Sequence, residues 1–150
     1  MRTISTIIAA LLLLVSFTEA KTIKVPGDFA KIQLAINAAV NGDTVLVAEG
    51  TYMVNLFLNK KIVIGSIYVT DGDTSHISKT ILDGSTPSNP DSGSVILVGT
   101  ATDTTTIVSG LTITGGTGTL IVEAGTGKQW LCGGGIFSIG NGMKILRSKI

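Results

Sequence analysis

Several residue types are scarce in this chain. It has one cysteine, one histidine, one tryptophan and three prolines in 150 residues, and only 14% of the residues are charged. A single cysteine excludes an intrachain disulfide, and one His with one Cys falls short of the three or four ligands that zinc usually takes. Low charge argues against a disordered tail, and the absence of glycine at every third position excludes collagen. The net charge is +1 and Lys60-Lys61 is the only basic cluster, so nucleic acid is not expected as a partner.

The residues that are abundant favour strands separated by turns. Threonine, isoleucine and valine together make up about a third of the chain, and there are 19 glycines. The length suits one domain. The composition therefore predicts an all-β fold and says little about function.

Residues 1–20 have the three-part layout of a secretory signal peptide. Arg2 supplies a positive start, Ile7 to Val15 is an unbroken apolar run, and small residues end the segment at Ala20. The apolar stretch is too short for a membrane span, which needs about 20 residues. We therefore expect a mature chain of residues 21–150 without a membrane span. It would be secreted, extracellular or attached to the cell surface, with the periplasm as a further destination.

One helix is predicted in the mature chain, at residues 29–40. Asp28 is placed to cap its start, and Asn41-Gly42 supplies residues that tolerate the backbone at a helix end. Its apolar residues fall on one stripe at helical spacing. They are Phe29, Ile32, Ile36, Ala39 and Val40.

The rest of the chain reads as short strands with turn residues between them. Several runs, such as residues 45–47 and 95–98, are apolar throughout, which is typical of strands covered on both sides. Hairpin signals between matched runs are scarce, and one helix cannot supply the crossovers of a βαβ fold. These features predict a parallel β-solenoid whose first coil is covered by the helix at 29–40.

A weak internal repeat agrees with a solenoid. The runs that contain Ile64, Ile113 and Ile150 resemble one another and are predicted to form the same face on successive coils. The polar segments 69–78, 85–93 and 117–134 are predicted as loops, which in solenoids often build the binding face. The sequence stops at Ile150 within a strand-like run. We therefore expect an incomplete C-terminal end, with residues 21–150 as the capped first portion of a longer domain.

Residues 28–52 resemble the N-terminal segment of right-handed parallel β-helix proteins of the pectin-lyase-like superfamily. The resemblance rests on Ile32-Gln33-Leu34-Ala35-Ile36, Gly42-Asp43-Thr44-Val45 and Gly50-Thr51-Tyr52. The later runs KKIVIGS, TILDGS, GLTITGG and GGGIFS are similar to coil segments of such proteins. The resemblance covers nearly all of residues 22–150 and implies a right-handed parallel β-helix with an N-terminal capping helix.

The resemblance implies two functions of different kinds. One is a secreted or cell-surface protein that binds a polysaccharide or a cell-surface glycan, or acts as an adhesin, without catalysis in this segment. The other is the N-terminal part of a polysaccharide lyase or pectinesterase-like enzyme whose catalytic coils lie beyond Ile150. No catalytic set of residues is identified in the sequence, and fold alone does not decide between the two.

Two places in the sequence are candidates for ligand binding. Asp71 and Asp73 put two carboxylates on one loop, where they could hold calcium or simply form an Asx-type turn. No other cofactor is expected. Trp130 could stack on a sugar ring, or it could pack beneath the segment 117–134. His76, the only histidine, is expected to be a solvated residue of a polar loop and not the base of a catalytic triad. Cys132 is expected to be a small buried apolar residue.

Overall fold

The computed structural model of the protein describes residues 19–150. Residues 1–18, which hold most of the predicted signal peptide, lie outside the described residues. Within residues 19–150 the chain forms fourteen strands and three short helices, so the all-β class is confirmed. The helices are α1 (Ile32–Ala38), α2 (Tyr68–Asp71) and α3 (Ser75–Lys79). The strands are β1 (Thr22–Val25), β2 (Thr44–Val47), β3 (Gly50–Met53), β4 (Leu56–Leu58), β5 (Val63–Ser66), β6 (Thr80–Asp83), β7 (Ser92–Gly93), β8 (Ile96–Val98), β9 (Ile107–Ser109), β10 (Thr112–Thr114), β11 (Gly118–Val122), β12 (Gln129–Cys132), β13 (Ile136–Ser138) and β14 (Lys144–Leu146).

Three sheets of the described chain contain only parallel pairs. Sheet 1 has the order β1-β2-β5-β9-β14, sheet 2 the order β3-β6-β10 and sheet 3 the order β4-β8-β13. The chain visits the sheets in rotation, so that β2, β3 and β4 form one circuit, β5, β6 and β8 a second, and β9, β10 and β13 a third. Most of this parallel pairing arises because the chain winds through the three sheets, whereas β1 and β2 are joined through α1.

The core lies between the parallel sheets and is built from apolar side chains in matching register. In sheet 1, Val45, Ile64 and Val108 are neighbours on adjacent strands, and all three are fully buried. In sheet 2, Leu82 pairs with Ile113, and both are buried. β-Branched residues suit these positions because their stiff side chains pack well on a pleated surface.

The predicted repeat is wrong in matching Ile64 with Ile113, whereas the parallel bridge between Thr112 and Lys149 agrees with the predicted match of Ile113 with Ile150. Ile64 is paired with Val45 and Val108 in sheet 1, whereas Ile113 lies in sheet 2 beside Leu82. Each circuit contributes one apolar strand to each of three sheets, so similar runs recur within a circuit as well as between circuits. Inserted segments also make the circuits unequal. Equivalent positions are 19 residues apart from Val45 to Ile64 and 44 residues apart from Ile64 to Val108.

The predicted helix at 29–40 is present but shorter, and its predicted cap is wrong. α1 begins after Lys31, whose backbone is extended, and no side chain caps it. The Asp28 carboxylate instead accepts a hydrogen bond from the backbone N–H of Lys24 at 2.8 Å, and therefore closes the turn after β1. α1 contacts β1, β2 and β4 and buries Ile32 and Ile36, while Val40 is exposed.

All three segments predicted as loops contain regular structure. Residues 67–79, here called the helical insert, hold α2 and α3, so α1 is not the only helix of residues 21–150. Strands β11 and β12, within the predicted loop 117–134, form an antiparallel hairpin, and β7 pairs with β11. These three strands are called the lateral sheet. Hydrophobic spacing missed the two helices, which have four and five residues and bury no side chain.

Candidate functional site

The lateral sheet joins two insertions that leave the parallel sheets at the same corner. Both insertions lie between a strand of sheet 2 and a strand of sheet 3: β7 lies between β6 and β8, and the β11–β12 hairpin lies between β10 and β13. Ser92 and Gly93 pair with Thr119 and Gly118. The two insertions therefore form one structural unit on one side of the protein.

A buried polar contact anchors the base of the lateral sheet. The hydroxyls of Ser94 and Thr119 lie 2.7 Å apart, and the Ser94 hydroxyl also donates to the carbonyl of Gly133. Both side chains are buried. Because a buried hydroxyl is costly without a partner, this contact fixes how the hairpin leaves the core.

Trp130 lies on β12, the outer strand of the lateral sheet. It pairs with Ile121 on β11 and is 46% exposed, so it does not pack beneath residues 117–134. Val122 and Leu131 are exposed on the same hairpin. Cys132 is partly buried opposite Thr119, which is less burial than expected. The hairpin therefore presents an aromatic side chain to solvent.

Asp71 and Asp73 lie between α2 and α3, and hydrogen bonds from the protein occupy their four carboxylate oxygens. Asp71 accepts from the backbone N–H of Asp73 at 2.9 Å, and its other oxygen lies 3.0 Å from His76 Nε2. Asp73 accepts from the backbone N–H of Ser75 at 2.8 Å and from its hydroxyl at 2.9 Å, which lowers the pKa of Asp73. These are contacts of the Asx-turn type.

Calcium binding at Asp71 and Asp73 stays a prediction. Calcium takes six to eight oxygens, and an ion here would compete with the hydrogen bonds that the two carboxylates already accept. Throughout residues 19–150, no group of three or more His, Cys, Asp or Glu side chains has the arrangement of a metal site.

His76 is tied to two acidic residues and is not a free loop residue. Its Nδ1 lies 2.7 Å from Glu49 Oε1 and its Nε2 lies 3.0 Å from Asp71 Oδ2, and the side chain is only 16% exposed. The hydrogen bonds with Glu49 and with Asp71 raise the pKa of His76. The hydrogen bond from His76 lowers the pKa of Glu49, to which Lys79 Nζ also lies at 3.3 Å.

This cluster of Glu49, Asp71, His76 and Lys79 holds the helical insert against the turn between β2 and β3. Both ring nitrogens of His76 are engaged, so neither is free to act as a base or to bind a ligand. Glu49 is 27 residues from His76 in the sequence, and no local pattern links them. Sequence reasoning could find this cluster only after the strand register was known.

The two lysines of the basic pair also have partners within the protein. Lys60 Nζ donates to the carbonyls of Asn37 and Ala39, each at 2.6 Å, at the C-terminal end of α1. A cation at this end of a helix satisfies carbonyls that have no partner within the helix. Lys61 Nζ lies 2.8 Å from Asp103 Oδ2, and this contact lowers the pKa of Asp103. Neither lysine is therefore a free positive group for an acidic ligand.

Comparisons with protein-family models, with curated proteins and with solved structures find no match for this chain. None of the helices in residues 19–150 has the length and apolar character needed to cross a membrane.

Proposed function

We propose that the chain is a secreted or cell-surface protein with a right-handed parallel β-helix, and that it binds a polysaccharide or cell-surface glycan through the lateral sheet. The rotation of the chain through three parallel sheets supports the β-helix. The shortest spacing between equivalent strands, 19 residues from Thr44 to Val63, leaves room for three short strands and their turns. Right-handedness follows from the strong preference of parallel connections for that hand.

The exposed Trp130 is the observation that carries glycan binding. Its indole lies on an outer strand and is flanked by Gln129 and Leu131, both exposed. An exposed aromatic side chain offers a surface for stacking, which is one of the contacts that sugar rings make. The segment 117–134 is also one of the insertions that the sequence marked as a binding face.

Tryptophan fluorescence tests this directly, because Trp130 is the only tryptophan of the chain. Titration with polygalacturonate, alginate oligomers or neutral β-glucan oligomers should shift the emission with at least one of them. Affinity for that glycan, measured by calorimetry, should fall by about two- to tenfold in Trp130→Ala and by less in Trp130→Phe.

Leu131→Ala is the matched control, since Leu131 is the adjacent residue, is 66% exposed and points to the other face of the hairpin. It should bind as the unchanged protein does. Equal affinity of the unchanged protein and Trp130→Ala would contradict glycan binding at this face. Release of unsaturated uronates from polygalacturonate or alginate, read by ultraviolet absorbance, would favour the lyase alternative instead.

A further inference from the structure

Each strand of the first circuit, β2, β3 and β4, has one edge that faces away from the second circuit. These three edges are covered in different ways. β1 pairs along the full length of β2. The edge of β4 is covered by Gln33 of α1, whose side-chain oxygen accepts from the N–H of Phe57 at 2.9 Å and whose side-chain nitrogen donates to the carbonyl of Phe57 at 3.1 Å. Among residues 19–150, no strand pairs with the corresponding edge of β3, and no side chain forms hydrogen bonds with its backbone there.

The hydrogen-bond pattern shows which groups of β3 lack partners. The backbone N–H of Val54 donates to the carbonyl of Asp83 in the continuation of the β3–β6 ladder. Alternate residues of a parallel strand direct their backbone groups to opposite sides. The N–H and C=O groups of Thr51 and Met53 therefore face away from β6, and no other described residue bonds to them. Both residues are exposed.

A groove of about 440 Å³ lies along this edge. One wall is formed by residues 51–56 and the other by residues 30–33, where the chain passes into α1. Lys31 is the only charged residue of the lining and makes no ion pair with another described residue. The groove thus combines an open strand edge, apolar side chains such as Met53, and one positive charge.

We propose that this groove binds an extended peptide of another protein, which adds as a strand to β3 and carries an acidic residue opposite Lys31. Strand addition would satisfy the backbone groups of Thr51 and Met53, and pockets beside the edge would select side chains. The positive charge of Lys31 without a neighbouring carboxylate favours an acidic partner. Unpaired edges are a hazard that proteins normally cover, and β1 and Gln33 cover the two neighbouring edges.

Three labelled peptides test the proposal with the unchanged protein. The first is acetyl-Val-Thr-Glu-Val-Thr-Val-amide, the second has Lys in place of Glu, and the third is the first with alternate backbone nitrogens methylated. Fluorescence anisotropy should show binding of the first peptide, weaker binding of the second and none of the third. Amide NMR signals of Thr51 and Met53 should shift with the first peptide.

Protein variants separate edge pairing from side-chain contact. Thr51→Pro removes one N–H that faces away from β6, and an edge strand tolerates this change. It should lower the affinity for the first peptide by about fivefold, which is the effect of one hydrogen bond. Thr51→Val keeps the N–H and is the matched control that should bind normally. Lys31→Glu should reverse the preference between the Glu and Lys peptides.

Four results would overturn the proposal. The first is that the first peptide does not bind at about 1 mM, and the second is that the methylated peptide binds as tightly as the first. The third is that the amide signals of Thr51 and Met53 do not shift. The fourth is that a galacturonate hexamer displaces the peptide and shifts the same amide signals. The methylated peptide keeps the test decisive if Thr51→Pro fails to fold. None of these results depends on Trp130, so glycan binding at the lateral sheet stands or fails separately.

Discussion

The parallel sheets and the helical insert are held by different interactions. In the parallel sheets, apolar side chains such as Ile64 and Val108 are fully buried in register with their neighbours. The helical insert contains no fully buried side chain in either helix. It is attached by the contacts of His76 and Lys79 with Glu49, and the Thr112 hydroxyl donates to the carbonyl of Ile77 at 2.8 Å. The comparison shows a scaffold whose stability comes from apolar burial and an attached segment that is held largely by polar contacts.

The largest effect should come from truncation within the parallel sheets. Ile64→Ala removes a side chain with no exposed surface, and the rigid strands on either side cannot close the cavity, so the free energy of unfolding should fall by about 2–5 kcal/mol. Leu131→Ala, on the lateral sheet, should change it by less than about 0.5 kcal/mol because Leu131 is 66% exposed. Urea unfolding followed by circular dichroism measures both. Similar losses in the two variants would contradict a core that excludes the lateral sheet.

Gly65 lies where the two regions meet and should show an intermediate effect. A Cβ at this position would lie 2.5 Å from Val69 Cγ1 of α2 and 2.9 Å from the carbonyl oxygen of Ser109 on β9. Gly65→Ala should therefore cost about 1–3 kcal/mol in urea unfolding. Adding Val69→Ala should recover part of that loss, since it removes the closer contact and leaves the one with Ser109. If Val69→Ala recovers nothing, the helical insert does not pack on Gly65.

The sequence predicted the parts of the fold that depend on apolar patterning. The apolar runs around Val45, Ile64 and Val98 predicted buried strands, and all three residues are buried in parallel sheets. The stripe of Ile32 and Ile36 predicted α1. The predicted match of Ile64 with Ile113 was wrong because all three parallel sheets contain similar apolar runs. Similarity between two runs therefore does not place them in the same sheet.

The polar parts were less predictable because their partners are distant in the sequence. Asp28 matched the pattern of a helix cap, but the turn after β1 brings the backbone of Lys24 within reach of it. His76 had no acidic neighbour on a recognisable pattern, yet the pairing of β3 with β6 brings the turn at Glu49 beside it. The exposure of Trp130 depends on the antiparallel pairing of β11 and β12, for which no turn signal was recognised.

The smallest effect, and the one that separates the two regions most directly, is the response of the helical insert to pH. His76 is faced by Glu49, Asp71, Asp73 and Lys79, and its pKa is raised above 6.5, mainly by the hydrogen bond with Glu49. A raised pKa means that the contribution of His76 to stability is complete below pH 6.5 and is lost as the pH rises through the higher folded value. The pKa of Glu49 is lowered from 4.5, so its contribution is present above pH 4.5 and is lost as the pH falls through the lower folded value.

The helical insert should accordingly be held most firmly between about pH 4.5 and pH 6.5. Hydrogen exchange of residues 67–79, corrected for the intrinsic pH dependence of exchange, should accelerate as the pH is raised to 9. The strands around Ile64 should keep their protection over the same range, because apolar burial does not titrate. His76→Gln, which cannot take up a proton, should exchange faster than the unchanged protein at pH 6 and equally at pH 9. A parallel rise in exchange in the unchanged protein and in His76→Gln would show that another group controls the helical insert.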